Sequence, residues 1–181
     1  MHLNGPPGIG KSTLAQRYAD EHAGVLNLDV DGIRPFIGGW QDDYCEAGAL
    51  ARPLALAMAD VHLRGGRDVI FPHFLGNLPE IERFAGVAQR AGAEFVEIVL
   101  IDEKDSAITR FAQRSDDDTE GRFDQIQKLV HNSGGDEYLA SLYDRLLDVV
   151  TRRDNTRMLK TKWGDVDGSY AAVCSVVAPE D

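Results

Sequence analysis

One stretch near the N-terminus constrains this chain more than any other: Gly5-Pro6-Pro7-Gly8-Ile9-Gly10-Lys11-Ser12, followed by Thr13. It matches the pattern G-x-x-x-x-G-K-[ST], with a short apolar run before it and a helical pattern after it. Each residue type has a physical reason. Glycines let the backbone curl until successive N–H groups point into one concavity. The helix that follows adds its positive dipole end and unpaired N–H donors. Lys11 can reach the β- and γ-phosphates of a nucleotide as a point charge. The Ser12 hydroxyl is placed to ligate Mg²⁺. Gly5, Gly8, Ile9, Gly10, Lys11, Ser12 and Thr13 are therefore the expected nucleotide-binding residues, with ATP and Mg²⁺ as the expected ligands.

The rest of the chain alternates strand-like and helix-like segments, which predicts an α/β fold. We expect three layers, with helices on both faces of a five-stranded parallel sheet, and a short lid. Met1 to Leu3, Val25 to Leu28, Asp68 to Phe71, Glu94 to Ile101 and Thr156 to Lys160 read as strands. Helices are expected from Lys11, over 46–64, from Pro79 to Arg90, over 103–114, around Leu139 to Val150, and from Val166 to Val177. In the second of these, Leu50, Leu54, Met58 and Val61 form the expected buried stripe, and Pro53 should kink the helix or begin a new one. The polar run from Ser115 to Gly121 suggests a lid spanning about 115–135.

A length of 181 residues with 43% hydrophobic content suits a single domain over 1–181. The net charge of −11 argues against a groove for long nucleic acid, where phosphate neutralisation would dominate binding. Cys45 and Cys174 are far apart and lack metal-ligand spacing, which suits a reducing compartment. No apolar run approaches a membrane span, so a cytoplasmic monomer or homodimer with a small-molecule partner is the expectation.

A second cluster, Asp29-Val30-Asp31-Gly32-Ile33-Arg34, follows the second expected strand. Ligands of open parallel sheets bind beyond the carboxyl ends of the strands, so this cluster and the glycine-rich loop should face one crevice. A carboxylate there could orient and deprotonate a hydroxyl, and Arg34 could hold an anionic group. The segment Leu28-Asp29-Val30-Asp31-Gly32-Ile33-Arg34 resembles the L-D-x-D-x-x-R segment of adenylylsulfate kinases. Its D-x-x-R core also resembles that of polynucleotide kinases and zeta-toxin-like kinases. Together with Gly10-Lys11-Ser12-Thr13, it makes the chain similar to the small P-loop kinases that include chloramphenicol phosphotransferase and gluconate kinase. Phe74-Leu75-Gly76 and Arg110-Phe111-Ala112-Gln113-Arg114 resemble that phosphotransferase's F-L-G-G and R-x-x-x-R elements.

The resemblance implies ATP-dependent phosphoryl transfer to a hydroxyl, with Asp31 as catalytic base and Asp29 as a Mg²⁺-water partner or a structural cap. It implies that Arg110 and Arg114 cover the adenine and stabilise the transferring phosphoryl group. The leading acceptor class is an antibiotic or other secondary metabolite. Sugars, nucleosides and adenylylsulfate follow. Phe36, Trp40 and Phe74 could line an apolar acceptor pocket. One departure stands out. Many P-loop proteins end the third strand with a metal-supporting aspartate, whereas here Val69-Ile70-Phe71-Pro72-His73 has no carboxylate. Asp29 or Asp102 could substitute, and His73 could bind substrate. The same departure keeps open a second class, a nucleotide-dependent binding or regulatory protein.

Overall fold

The computed structural model describes residues 1–113 and 122–178. Five strands, β1 (His2–Asn4), β2 (Leu26–Asn27), β3 (Val69–Pro72), β4 (Glu97–Ile101) and β5 (Thr156–Lys160), form one parallel sheet in the order β2-β3-β1-β4-β5. The helices are α1 (Lys11–Glu21), α2 (Tyr44–Arg64), α3 (Leu78–Arg90), α4 (Lys104–Gln113), α5 (Arg122–Asn132), α6 (Asp136–Val150) and α7 (Val166–Val177). The expected α/β fold with a five-stranded parallel sheet is what the chain adopts.

Successive strand residues point to opposite faces, so each strand feeds two cores. Leu3, Ile70, Ile98 and Leu100 pack with Leu14 and Ala15 of α1 and Tyr170 and Val173 of α7. Val69 and Phe71 face the other way, toward α2, α3 and α6. Val99 joins Leu146 and Val150 of α6. A buried polar cluster also sits on β1 and β4. The Glu97 carboxylate accepts hydrogen bonds from Arg153 Nε at 2.7 Å, Thr156 Oγ at 3.0 Å and Asn4 Nδ2 at 3.4 Å, with His2 Nδ1 at 3.5 Å. Burial would raise the Glu97 pKa, but His2 and Arg153 outweigh it and hold it at about 2. Asn4 also bonds Leu75 in both directions and accepts from the Gly5 N–H, tying the glycine-rich loop to the segment after β3.

Two expectations need correction. α2 runs as one helix through Pro53, so Pro53 does not begin a new one. Pro53 and Ala49 both lie on the solvent side, where water can reach the Ala49 carbonyl left without its intrahelical donor. The buried face of α2 is also not the Leu50 stripe. Ala47, Gly48, Ala51, Ala55 and Ala59 face the core, and Leu50, Leu54, Met58 and Val61 are exposed. Small residues let the helix lie close against the sheet and the Arg34 turn, which a leucine face would hold away.

Residues 122–132, inside the expected lid, form the regular helix α5. Phe123 and Val130 are buried against Phe111, Leu139 and Leu142, so this half of the segment is part of a packed core. The Ser115–Gly121 half lies outside the described residues. Among the described residues, no helix is long and apolar enough to cross a membrane.

Candidate active site

The glycine-rich loop joins β1 to α1, and two of its glycines are required by close approach. Gly5 has φ +147°, and a Cβ there would lie 2.6 Å from the Leu100 carbonyl oxygen. Gly8 has φ +79°, and a Cβ there would lie 3.1 Å from the Phe111 Cα. The loop is therefore pressed between β4 and α4 in a conformation that L side chains rarely adopt. Gly10, also left-handed, caps α1, and its carbonyl accepts from Leu14 N–H. Lys11 Nζ donates to the Gly5 and Pro6 carbonyls at 2.8 and 2.9 Å, which holds its ammonium over the loop. Ser12 and Thr13 are exposed at the helix start.

Beyond β2 the chain makes two tight 3-10 turns, Val30–Gly32 and Arg34–Phe36. Asp29 caps the first, its carboxylate accepting from the Asp31 N–H at 3.0 Å. Of the two roles considered for Asp29, the structure displays the cap. The turn brings Arg34 back onto Asp31, and Arg34 Nε donates to the Asp31 carboxylate at 2.8 Å. The Arg34 guanidinium also donates to the Tyr44 carbonyl and stacks over the Tyr44 ring at 3.8 Å. Its side chain is only 8% exposed, against 28% for Asp31. Arg34 is thus clamped by α2, and what it presents to the cavity is an oriented carboxylate.

His73, at the end of β3, faces this pair. Burial first, and then the neighbouring cations Arg34 and Lys11, push its pKa down to about 4 in spite of Asp31. Burial works to raise the Asp31 pKa, but His73, the Arg34 charge and the Arg34 hydrogen bond outweigh it, so Asp31 stays below the ordinary aspartate value. Near neutral pH the site therefore holds an ionised Asp31 beside a neutral His73. The Tyr44 phenol is pushed above its usual pKa by burial and by Asp31, so it remains protonated.

A cavity of about 770 Å³ joins these parts. The loop from Pro7 to Leu14 forms its floor, with Asp31, Arg34, Tyr44, Arg52 and His73 at one end. Thr161 to Val166, after β5, lines the other end together with Arg110 and Gln113. Arg110 is 7% exposed and its Nη2 pairs with the Asp102 carboxylate at 2.6 Å, yet its Nε makes no hydrogen bond among the described residues. A buried guanidinium with an unsatisfied donor beside a phosphate-binding loop is suited to an anion. Asp102 is held by the Glu103 N–H and the Ser106 hydroxyl. Arg114 and Asp116 to Asp118 lie outside the described residues.

Of the three aromatics expected around the acceptor, only Phe74 lines the cavity. Phe36 is 86% exposed, because the turn that seats Arg34 throws its second neighbour outward. The apolar wall comes instead from Ile126, Leu129 and Val130 of α5 and Tyr138 and Leu142 of α6. Sequence reasoning also missed Tyr44, Arg52, Arg145 and the Lys162-Trp163-Gly164 turn. The turn carried a usable signal, since it follows the carboxyl end of a strand. The arginines carried none, because an arginine inside a helix reads as solvated.

Residues 1–132 match the family model of an AAA domain. The chain belongs to the AAA domain family. No curated protein matches the sequence. Several solved structures share the fold of this AAA domain. A candidate kinase from Chloroflexus aurantiacus superposes with a TM-score of 0.64 at 17% identity, over 97% of this chain and 91% of that one. The Deinococcus radiodurans tunicamycin resistance protein gives 0.59 at 16% identity, over 99% and 98%. Shikimate kinase from Bacteroides thetaiotaomicron gives 0.53 at 16% identity, over 97% and 96%. At these identities the likeness shows the fold, which is that of small P-loop kinases.

Proposed function

We propose that this AAA domain is an ATP-dependent phosphotransferase that moves the γ-phosphate to a hydroxyl of a small molecule. The observation that carries the proposal is one cavity, on which both the phosphate-binding loop and the oriented, ionised Asp31 open. The triphosphate lies along the loop N–H groups, with Lys11 against its β- and γ-oxygens and Arg110 as a second cation. The acceptor sits between Asp31, Tyr44, His73 and the α5–α6 wall. Its hydroxyl oxygen attacks the γ-phosphorus, the bond to the β–γ bridging oxygen breaks, and ADP leaves while Asp31 takes the hydroxyl proton. A carboxylate held below the usual range is a weak base. Its larger contribution is orientation, which is what a loose phosphoryl-transfer transition state requires. Arg34 acts through Asp31 as a positioning residue, and Arg114 keeps its proposed role at the transferring phosphoryl group.

The donor set fits Mg²⁺. Ser12 offers a hard oxygen at the loop, and this ion with a nucleotide takes most of its remaining ligands from phosphate and water. Bound there, it would neutralise phosphate charge, and Asp29 could hold one of its waters. The acceptor class we favour is an antibiotic or other metabolite. The apolar wall supports it, as does the fold shared with a tunicamycin resistance protein. We place the protein in the cytoplasm, as a monomer or homodimer, without long nucleic acid as a partner.

The test is acceptor-dependent ADP release across a panel of hydroxyl compounds, measured against basal hydrolysis. Stimulation by an acceptor, lost in Asp31→Asn with ATP affinity kept, is the expected result. His73 in place of a strand-three carboxylate favours a second reading, a nucleotide-dependent binding or regulatory protein. ATP binding with no stimulation by any compound would select it.

A further inference from the structure

The solvent face of α2 has an unusual composition. From residue 49 to 61 every exposed position is apolar: Ala49, Leu50, Pro53, Leu54, Ala57, Met58 and Val61. The four large side chains are 50%, 48%, 44% and 73% exposed for Leu50, Leu54, Met58 and Val61. With the alanines and proline they expose on the order of 500 Å² of contiguous apolar surface, as large as the biggest patches on ordinary monomers. This does not serve the active site, which α2 lines through Tyr44 and Arg52 on a different side.

We propose that this face is the interface of a homodimer in which two α2 helices pack antiparallel about a two-fold axis near Ala55. Three features of the helix point to a second copy rather than another partner. The large residues Leu50, Leu54 and Met58 form a ridge at a spacing of four, and Ala49, Pro53 and Ala57 form a shallow groove beside it at the same spacing. A two-fold axis sets each ridge into the other copy's groove, the commonest way for helices to pack. An axis between Ala55 and Leu56 places Leu50 opposite Val61, Pro53 opposite Met58 and Leu54 opposite Ala57 of the partner subunit, so the apolar residues of one copy meet those of the other.

The charges at the two ends agree with that register. Glu46 and Arg64 are the exposed charged residues that flank the apolar stretch on this face. That axis brings Glu46 beside Arg64 of the partner subunit, twice per dimer, where Arg64 already holds Asp60 of its own helix at 2.8 Å. A parallel arrangement would set like charges together. Two patches bury about 1,000 Å², the lower threshold for a specific interface. Each copy carries a net charge of −11, so association is driven by the uncharged patch against long-range repulsion. It should therefore strengthen as salt screens that repulsion.

Sedimentation equilibrium of the full chain tests the proposal, and twice the chain mass of 19.9 kDa at micromolar concentration is expected. Leu54→Glu should weaken association at least about 100-fold, because it places two unpaired carboxylates at the axis. Leu54 is exposed, so circular dichroism and the melting temperature should stay near wild type. Glu46→Arg should also weaken the dimer, because it sets two arginines together across the interface. A spin label on Cys45, with Cys174→Ser, should report a separation of about 30 Å between copies, from ten residues of helix on each side of the axis. A monomer at all concentrations would overturn the proposal. So would a dimer unaffected by Leu54→Glu or by Glu46→Arg, or a monomer that binds neutral lipid vesicles through this face.

Discussion

Replacing Gly48 by alanine sets a methyl group where the Arg34 guanidinium lies. The added Cβ would sit 2.6 Å from both Cζ and Nη2 of Arg34, with Nη1 nearer still. The guanidinium cannot retreat, because the Tyr44 ring lies 3.8 Å away and Asp31 holds Nε at 2.8 Å. Two opposed effects follow. Alanine in place of glycine inside a helix stabilises by about 1 kcal/mol. Expelling the arginine breaks a largely buried ion pair, which costs about 3–5 kcal/mol when fully buried. With Asp31 28% exposed, a discounted cost of about 2–3 kcal/mol is appropriate. The net expectation is destabilisation by about 1–2 kcal/mol, a fall of roughly 5 °C in Tm for a domain of this size. Urea unfolding at constant m-value measures it. In an Arg34→Ala background the obstacle is gone, and Gly48→Ala should then stabilise by up to about 1 kcal/mol. The sign reversal is diagnostic. If Gly48→Ala stabilises the wild-type chain, Arg34 is not seated where the geometry puts it, and the account of how Asp31 is aimed fails with it.

The folded state keeps His73 neutral down to about pH 4, whereas the unfolded chain protonates it near its ordinary value of 6.5. Stability should therefore be complete above about pH 6.5 and fall by up to about 3 kcal/mol as pH drops toward 4, a slope that His73→Asn removes in pH-dependent urea titrations. Glu97, held at about 2 against an ordinary 4.5, should stabilise fully above about pH 4.5 and progressively less below it. Glu97→Gln should cost about 3 kcal/mol at pH 7, and the gap to wild type should close as pH falls toward 2. Arg110→Met should weaken ATP binding at least about 10-fold in calorimetry, because it removes an anion-binding cation, and should also lower Tm, because it leaves the nearly buried Asp102 carboxylate without its cation; unchanged affinity would remove Arg110 from the nucleotide site. Phe123→Ala should destabilise by about 3 kcal/mol in urea unfolding, because α5 packs through this ring against Phe111.

The sheet and the phosphate-binding loop were legible because their information is local. The loop needs glycines, a lysine and a hydroxyl at set offsets within one turn of chain, and five apolar runs separated by helical patterns leave few topologies other than a parallel sheet. The pairing of Asp31 with Arg34 was partly legible, since three residues in a tight turn must be neighbours. What Arg34 does there was not, because its seat is made by Tyr44 and Gly48 on another element.

The residues from Gly5 to Thr13, the alternation of strands and helices, and the placement of an aspartate beyond β2 are thus properties of the sequence by itself. The buried face of α2, the packing of α5 and the composition of the cavity were decided by tertiary structure. α2 is apolar nearly all round, so its periodicity offers an alanine face and a leucine face with equal plausibility. Only the short distance to the sheet and to Arg34 selects the alanines. That selection leaves Leu50, Leu54, Met58 and Val61 facing water.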